Sequence, residues 1–218
     1  MSILTLAAAN AAQLSISIAN QSSEFTSANR LAVHAVDGSG LSAGNHDTDP
    51  THMWLNSGDG TFPGGTPASD PDRPGQLAHI TFNLGGTFTI GSFHVWNYNE
   101  VNANNQQSFT NRGVQTLTIS IASTLNGTYT PLIDPANNTT TWTFAQAPGN
   151  GAYTGELFSL SAPVSAAFVR FDIKTNYGDA NGLVGLSEVQ IFSVPEPATW
   201  LLLGLGGVTL SIFSRRRD

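Results

Sequence analysis

The stretch "WNYN" at positions 96–99 has the residue types that bind sugars. An aromatic ring stacks on the apolar C–H face of a sugar, while amide and guanidinium groups hydrogen-bond its hydroxyls. The candidate ligand-binding residues are Trp96, Asn97, Tyr98, Asn99, Arg112 and Tyr177. Strand alternation would place Val95 and Asn97 on one face and Trp96 and Tyr98 on the other. At least one of these aromatics is therefore expected to lie in the core.

The segment "HDTDPTHMW" could offer a transition-metal site, with His46 and His52 as nitrogen ligands and Asp47 and Asp49 between them. The spacing is not diagnostic of zinc. A polar turn with solvated His and Asp side chains is the favoured interpretation.

The sequence shows no motif typical of catalysis. It contains no Gly-x-Ser-x-Gly elbow, no phosphate-binding loop and no His-Glu-x-x-His helix. The carboxylates that a polysaccharide hydrolase could use are Asp70, Asp72, Glu100 and Asp179, but the sequence alone does not pair them. A non-catalytic protein is expected.

Composition narrows the class of protein further. The 218 residues suffice for one domain with tails, and only 11% of them are charged, which suits a turn-rich all-β domain. The net charge of -7 disfavours nucleic acid as a partner, because an acidic surface repels phosphates. Without cysteine, disulfides and cysteine-ligated zinc are excluded.

Alternating apolar residues predict the strands that must position these side chains. The period-2 pattern is found at Leu14–Ile18, Ile80–Leu84, Leu117–Ile121, Phe171–Ile173 and Val189–Ile191. Two polar, turn-rich stretches, 56–76 and 99–113, are expected to be long loops. The predicted architecture is an all-β jelly-roll β-sandwich over 13–193.

Both ends of the chain indicate export. Residues 1–12 begin with an apolar run, and Ala9-Asn10-Ala11 fits the small-x-small pattern of signal-peptidase sites, so this stretch is interpreted as a signal-peptide remnant. An ordinary apolar N-terminus is the alternative. At the other end, 198–213 carries no charge and is predicted to form a single C-terminal transmembrane helix. Trp200 would lie at the membrane interface, and Arg215, Arg216 and Arg217 would stay on the cytoplasmic side.

An ordered set of motifs resembles the F5/8 type C (discoidin-like, galactose-binding-like) family. The motifs are "AVDGSG" (35–40), "MWLNSG" (53–58), "ITFNLGGTFTIGSFHVWNYNE" (80–100), "RGVQTLTISIAS" (112–123) and "FVRFDIKTNYGDANGLVGLSEVQIFS" (168–193). The resemblance implies a jelly-roll fold for 13–193. It also implies a structural Ca²⁺ held by Asp37 and Glu188, which offer the hard oxygen ligands that calcium prefers. The remaining calcium ligands, mainly backbone carbonyls, would come from Ala35, Leu41, Thr51 and His52.

The last 25 residues resemble the PEP-CTERM sorting signal of exopolysaccharide-producing Gram-negative bacteria. The resemblance is carried by Val194, Pro195, Glu196 and Pro197, followed by the apolar segment and the arginine cluster. It implies processing by an exosortase, transient residence in the inner membrane and delivery to the cell surface or extracellular matrix. The favoured function is a non-catalytic module that binds carbohydrate or exopolysaccharide. The alternatives are a structural or adhesive biofilm protein without a sugar pocket, and, less favoured, a polysaccharide hydrolase.

Overall fold

A computed structural model describes residues 11–56 and 78–194 of the chain. Within these residues the regular structure is β-strand with four short 3-10 turns. The strands are β1 (Ala12–Gln13), β2 (Ser17–Gln21), β3 (Leu41–Ser42), β4 (Asn45–His46), β5 (Trp54–Leu55), β6 (His79–Asn97), β7 (Val114–Ala122), β8 (Thr130–Pro131), β9 (Trp142–Thr143), β10 (Glu156–Asn176) and β11 (Gly185–Ser193). The 3-10 turns are Thr26–Ala28, Ala32–Ala35, Pro50–His52 and Thr110–Arg112.

Two long strands, β6 and β10, bend and so take part in both layers of a sandwich. In one layer, the first half of β6 (79–83) pairs with the second half of β10 (168–172), with β2 on one side and β7 on the other. In the other layer, 92–95 of β6 pair with 156–159 of β10, and β11 lies beside β6. Register shifts between Ser159 and Val164 and between Ala166 and Phe168 mark the bend. Such irregularities let a strand change direction and cross between layers.

The bend gives the sandwich two different ends. At the bend end lie 12–16, 83–92, 122–129, 160–167 and 193–194, as the strand registers require. At the opposite end, here called the loop end, lie 22–30, 46–56, 98–112, 145–155 and 177–184. The loop end therefore collects most of the long connections, which is where binding sites on rigid β-sandwiches usually occur.

The core between the layers is aromatic. Phe171 makes edge-to-face contacts with Phe82 and Phe93, and Phe93 makes another with Trp142. Phe144 and Phe158 extend the cluster, their ring centroids 5.0 Å apart. Each such contact adds about 0.5–1.5 kcal/mol beyond the burial of apolar area. The main cluster thus fixes the two layers against each other.

The alternation pattern predicted the strands well. Ile80, Phe82 and Leu84 lie in β6, Leu117 and Ile119 in β7, Phe171 and Ile173 in β10, and Val189 and Ile191 in β11, all of them buried. At the N-terminus the prediction was shifted, because the observed strand is Ser17–Gln21 and Leu14–Ile16 precede it. The sheet begins at Ala12, one residue before the predicted domain start.

Among residues 11–56 and 78–194, no helix is long and apolar enough to cross a bilayer. The predicted helix at 198–213 lies outside the described residues, as do most of the predicted loop 56–76 and residues 1–10 of the signal remnant.

Candidate functional site

A buried network of ion pairs joins the loops of the loop end. Arg30 Nη2 lies 2.7 Å from Glu100 Oε1, and Arg112 Nη1 lies 2.9 Å from Glu100 Oε2. Arg112 Nε reaches Asp179 Oδ1 at 3.3 Å, and the Tyr98 hydroxyl donates to Glu100 Oε2 at 2.6 Å. The two carboxylates are 3% and 4% exposed, so the charges are held in a low-dielectric setting where each needs its partner. The network therefore ties 30, 98–100, 112 and 179 into one rigid unit.

Tyr98 is part of this unit and not of a ligand surface. Burial raises the pKa of its hydroxyl well above the ordinary value, and the neighbouring Glu100 charge raises it further. The phenol thus stays protonated and donates permanently to Glu100. Arg112 also lies over the Phe109 ring at 4.2 Å, so its guanidinium is fixed from two sides.

Two clefts flank the network. The first, about 460 Å³, lies between the 48–50 turn and the 100–106 loop and is lined by Arg30, Thr48, Asp49, Pro50, Glu100, Val101, Asn102, Ala103, Asn104 and Gln106. The second, about 530 Å³, is lined by residues of 107–112 and 178–181 with Gln146. Hydroxyl, amide and charged groups dominate the first cleft. Such groups hydrogen-bond polyhydroxylated ligands.

Asn97 holds the base of this end together. Its amide nitrogen donates to the carbonyls of Val114 at 2.7 Å and Ala145 at 2.8 Å. Its side-chain oxygen accepts from the backbone N–H groups of Tyr98 and Val114. Gly113 passes so close that a Cβ there would lie 2.8 Å from Asn97 Oδ1, which explains the glycine. Asn97 is fully buried, and all its hydrogen-bonding capacity is used internally.

The predicted sugar-stacking residues are mostly buried. Trp96 is 2% exposed and packs with Ala147 and Tyr153, while Tyr98 is fully buried with Met53 and Leu55. Asn99, also buried, donates to the carbonyls of Asp47 and Asn150 and accepts from Gly149 N–H. Trp96, Asn97, Tyr98 and Asn99 were candidate ligand-binding residues, and the structure instead buries all four, both aromatics included. The reason is that the 40–56 and 145–155 loops fold over the second face of β6.

The two remaining candidates lie nearer the surface. The Arg112 side chain is 13% exposed and borders the second cleft, and it belongs to the ion-pair network. Tyr177 is half-buried, its hydroxyl donating to the carbonyl of Phe144. Arg30, Thr48 and Asn102 were not predicted as site residues. Arg30 stands in no recognisable motif, Thr48 lies in the segment considered for a metal site, and Asn102 lies in a predicted loop.

Of the hydrolase candidates, Glu100 and Asp179 come together, sharing Arg112. Both Glu100 oxygens already accept hydrogen bonds from arginine or tyrosine. Asp70 and Asp72 lie outside the described residues.

The expected calcium ligands Asp37 and Glu188 do lie near one another. Gly38 N–H, directly after Asp37, donates to Glu188 Oε2 at 3.2 Å. Gly38 and Gly40 adopt φ of 74° and 76°, a region that favours glycine, and so curl the loop around the carboxylates. Asp37 also accepts from Ser39 N–H at 2.8 Å and contacts His34 Nδ1 at 3.0 Å.

The electrostatics of this pair fit a cation. The pKa of Glu188 is raised to about 8, mainly by burial and in smaller part by the Asp37 charge, against the lowering effect of the Gly38 hydrogen bond. Burial also acts to raise the pKa of Asp37, but hydrogen bonds from Ser39 and His34 lower it overall. Glu188 is 2% exposed and has no cationic side chain against it among the described residues. A hard cation would supply the missing charge.

Of the other predicted calcium ligands, some lie beside the Asp37 loop and one does not. The His52 carbonyl accepts from the Ser39 hydroxyl and so lies beside the Asp37 loop. Thr51 points elsewhere, since its hydroxyl and its N–H both bond Asp49 Oδ1. Ala35 is buried and Leu41 half-buried, at either side of the glycine loop.

The described residues contain no group of three or more His, Cys, Asp or Glu side chains that could hold a metal. His52 and His46 both contact Asp47, at 2.8 Å and 3.7 Å. His46 is fully buried, which corrects the expectation of a solvated turn, and burial lowers its pKa.

Comparison with known proteins assigns the C-terminus. Residues 193–217 match the PEP-CTERM protein-sorting motif. Val194 is the last described residue, and Pro195, Glu196, Pro197, Trp200, Arg215, Arg216 and Arg217 lie outside the described residues. No curated protein matches the chain.

Solved structures share the fold of the rest. The family 32 CBM from C. perfringens NanJ, in complex with galactose, is 14% identical at a TM-score of 0.53, covering 84% of this chain and 100% of its own. CBM32-3 from a family 31 glycoside hydrolase of Clostridium perfringens is 16% identical at a TM-score of 0.53, and the match covers 82% of this chain and 91% of that one. An F5/8 type C domain from Bacteroides fragilis is 13% identical at a TM-score of 0.53, and the match covers 86% of this chain and 99% of that one. The chain thus joins a domain with the F5/8 type C fold to a PEP-CTERM sorting motif.

Proposed function

We propose that this chain is an exported, non-catalytic carbohydrate-binding module whose site is the first cleft of the loop end. The observation that carries the proposal is the cleft itself, about 460 Å³ and lined by Arg30, Thr48, Asn102 and Asn104 among others. Its floor is fixed by the Arg30–Glu100 ion pair at 2.7 Å. Rigid donors and acceptors of both kinds suit a ligand whose surface is a ring of hydroxyls.

The sugar itself is proposed from the fold. The NanJ module binds galactose, so galactose and galactose-containing polysaccharide are the first ligands to try. Recognition here would rely on hydrogen bonds more than on stacking, since Trp96 and Tyr98 are buried.

A binding role without catalysis suits the state of the carboxylates. Glycoside hydrolysis needs one carboxyl group to donate a proton and a second to act as a base or nucleophile. Glu100 and Asp179 instead pair with Arg112, and Glu100 also pairs with Arg30. In this proposal, Glu100 and Asp179 position the loops and do not act on a substrate.

The sorting motif supports export and processing. An exosortase would act near Val194–Pro197, after the apolar segment has entered the inner membrane, and the domain would reach the surface or matrix of a Gram-negative bacterium. The N-terminus supports the same route. Cleavage after Ala11 would leave Ala12, which pairs with Ser193, as the first residue.

A structural Ca²⁺ at Asp37 and Glu188 completes the proposal. The carboxylates and the carbonyls of the glycine loop would hold it, with the His52 carbonyl nearby. The ion would neutralise Glu188 and fix the 35–41 loop.

A structural or adhesive biofilm protein without a sugar pocket is the second candidate. The burial of the predicted stacking aromatics favours it, together with the low content of charged residues. Under this function, removing the protein alters cell aggregation while the purified chain binds no small glycan.

A hydroxyl-removing variant tests the cleft. Thr48 lines it, and Thr48→Val removes the hydroxyl while nearly keeping the shape. Calorimetric titration with galactose and a glycan array should show binding by the wild type and weaker binding by Thr48→Val. Thr128→Val, at the bend end, should bind like the wild type. Binding to no glycan in the presence of Ca²⁺, by a chain shown to be folded, would overturn the proposal.

A further inference from the structure

The bend end of the sandwich has no charged residue in the described segments that form it, although Arg170 borders it, with its guanidinium over the Tyr129 ring at 4.1 Å. Its segments 12–16, 83–92, 122–129, 160–167 and 193–194 contain no Asp, Glu, Lys, Arg or His. The loop end, in contrast, holds Arg30, Asp47, Glu100, Arg112 and Asp179. In a chain of net charge -7 the two ends therefore differ sharply in electrostatic character.

Apolar side chains are exposed at this neutral end. Phe88 is 37% exposed and Leu125 36%, and segment 85–89 of β6 is exposed along its whole length. Residues 161–163, Ser-Ala-Pro, lie open beside it. A surface that combines neutral polar groups with exposed Phe and Leu side chains suits the interfacial region of a bilayer.

The chain leaves the domain at the same place. Val194 N–H donates to the Thr89 carbonyl at 2.9 Å, and Thr89 follows Phe88. The uncharged run begins at Ala198, four residues further on. Four residues span at most about 14 Å when fully extended. Once that run is in a membrane, Val194 must lie within that distance of it, and Thr89 is hydrogen-bonded to Val194.

We propose that the neutral end rests on the outer surface of the lipid bilayer while the C-terminal segment is inserted. Phe88 and Leu125 then lie at the interface, and the loop end with its clefts points away from the membrane. This rests on the membrane insertion of the tail described under the proposed function. Where anionic lipids give the membrane surface a negative potential, an acidic domain approaches it most easily with its uncharged end. The short connection would present the carbohydrate cleft outward before the tail is processed.

Single-cysteine labelling tests the orientation, because the chain has no cysteine of its own. The 218-residue chain would be reconstituted in vesicles of neutral and anionic phospholipid as Thr87→Cys, Asn104→Cys and Thr209→Cys variants. Each is labelled with an environment-sensitive fluorophore. Lipids carrying a nitroxide on the headgroup or on the acyl chain then quench labels at the surface or in the hydrocarbon core. Thr87 and Asn104 are both exposed, so neither substitution disturbs packing.

We expect the label at position 209 to be quenched by the acyl-chain nitroxide. We expect the headgroup nitroxide to quench the label at position 87 several-fold more strongly than the label at position 104. Equal quenching at 87 and 104, or stronger quenching at 104, with position 209 inserted, overturns the orientation alone. No quenching at position 209 overturns insertion of the tail, and the orientation with it. Phe88→Ser should reduce quenching at position 87 in the Thr87→Cys background and leave quenching at position 209 unchanged in the Thr209→Cys background.

Discussion

Asn97 shows how one buried amide can hold a loop region in place. Its side chain makes four hydrogen bonds to backbone groups of Val114, Ala145 and Tyr98. Replacing it by Ala leaves these buried backbone groups without a hydrogen-bond partner, and each buried unsatisfied group costs roughly 1–3 kcal/mol. We expect Asn97→Ala to lower the free energy of unfolding by about 3 kcal/mol or more, measured by urea denaturation. Asn105→Ala, on the exposed turn, should change it by less than about 0.5 kcal/mol.

Glu188 predicts a pH dependence for the calcium-free chain. Its pKa rises from 4.5 in the unfolded chain to about 8 in the folded protein, mainly through burial. The folded state therefore keeps a proton that the unfolded state releases. Stability is complete below the unfolded pKa and falls as the pH rises toward about 8, by up to about 1.4 kcal/mol per pH unit. Thermal unfolding in EDTA across this window measures the effect.

Two controls connect that slope to the proposed metal. Glu188→Gln should abolish most of it, since no proton is then bound or released. Ca²⁺ should also flatten the slope in the wild type by favouring the carboxylate, and should raise the melting temperature at pH 8. A slope unaffected by either change would contradict the assignment.

At the scale of elements, the ion-pair network sets the relative position of three loops, 22–30, 98–112 and 177–184. Removing Arg112 leaves Glu100 with one arginine and Asp179 with none. Breaking a buried pair from one side typically costs about 3–5 kcal/mol. Arg112→Met should therefore be strongly destabilising in urea denaturation and should weaken glycan binding. Lys174→Met loses one hydrogen bond, to Thr141, and should cost far less. Similar costs for both variants would argue against the network.

The strands were predictable because one-sided burial leaves a period-2 pattern. Leu117 to Ile119 and Phe171 to Ile173 follow it. The pattern fails where a strand is buried on both faces, as at Trp96 to Tyr98, because loops distant in sequence cover the second face. The sequence also contained no indication that β6 bends and continues, because the pair Gly85 and Gly86, which lies within β6, is equally typical of a turn that ends a strand.

The candidate site was less predictable than the fold. Asp37 and Glu188 could be paired through a family resemblance, although 150 residues separate the Gly38–Glu188 contact in sequence. The cleft could not be predicted, because Arg30, Thr48 and Asn102 converge only through tertiary packing. Glycines 113 and 185 do carry a signal, each allowing a close approach of another chain segment.

At the scale of the whole molecule, the first and last described strands, β1 and β11, pair at the bend end. Ala12 pairs with Ser193, and Leu14 N–H donates to the Ile191 carbonyl at 2.8 Å. Signal cleavage after Ala11 would leave this sheet intact. We expect mass spectrometry of the exported protein to find Ala12 as its first residue, and an N-terminus beyond Leu14 would contradict this.

Carbohydrate binding in the first cleft is tested most directly by NMR titration of the ¹⁵N-labelled chain with galactose and with the polysaccharide of the producing organism, in Ca²⁺. We expect saturable shifts in the backbone signals of 46–50 and 100–106, which border the cleft, and none at 84–90. Thr48→Val should require higher ligand concentration for the same shifts. Saturable shifts confined to the bend end, or no saturable shifts with any glycan, would contradict the proposed function.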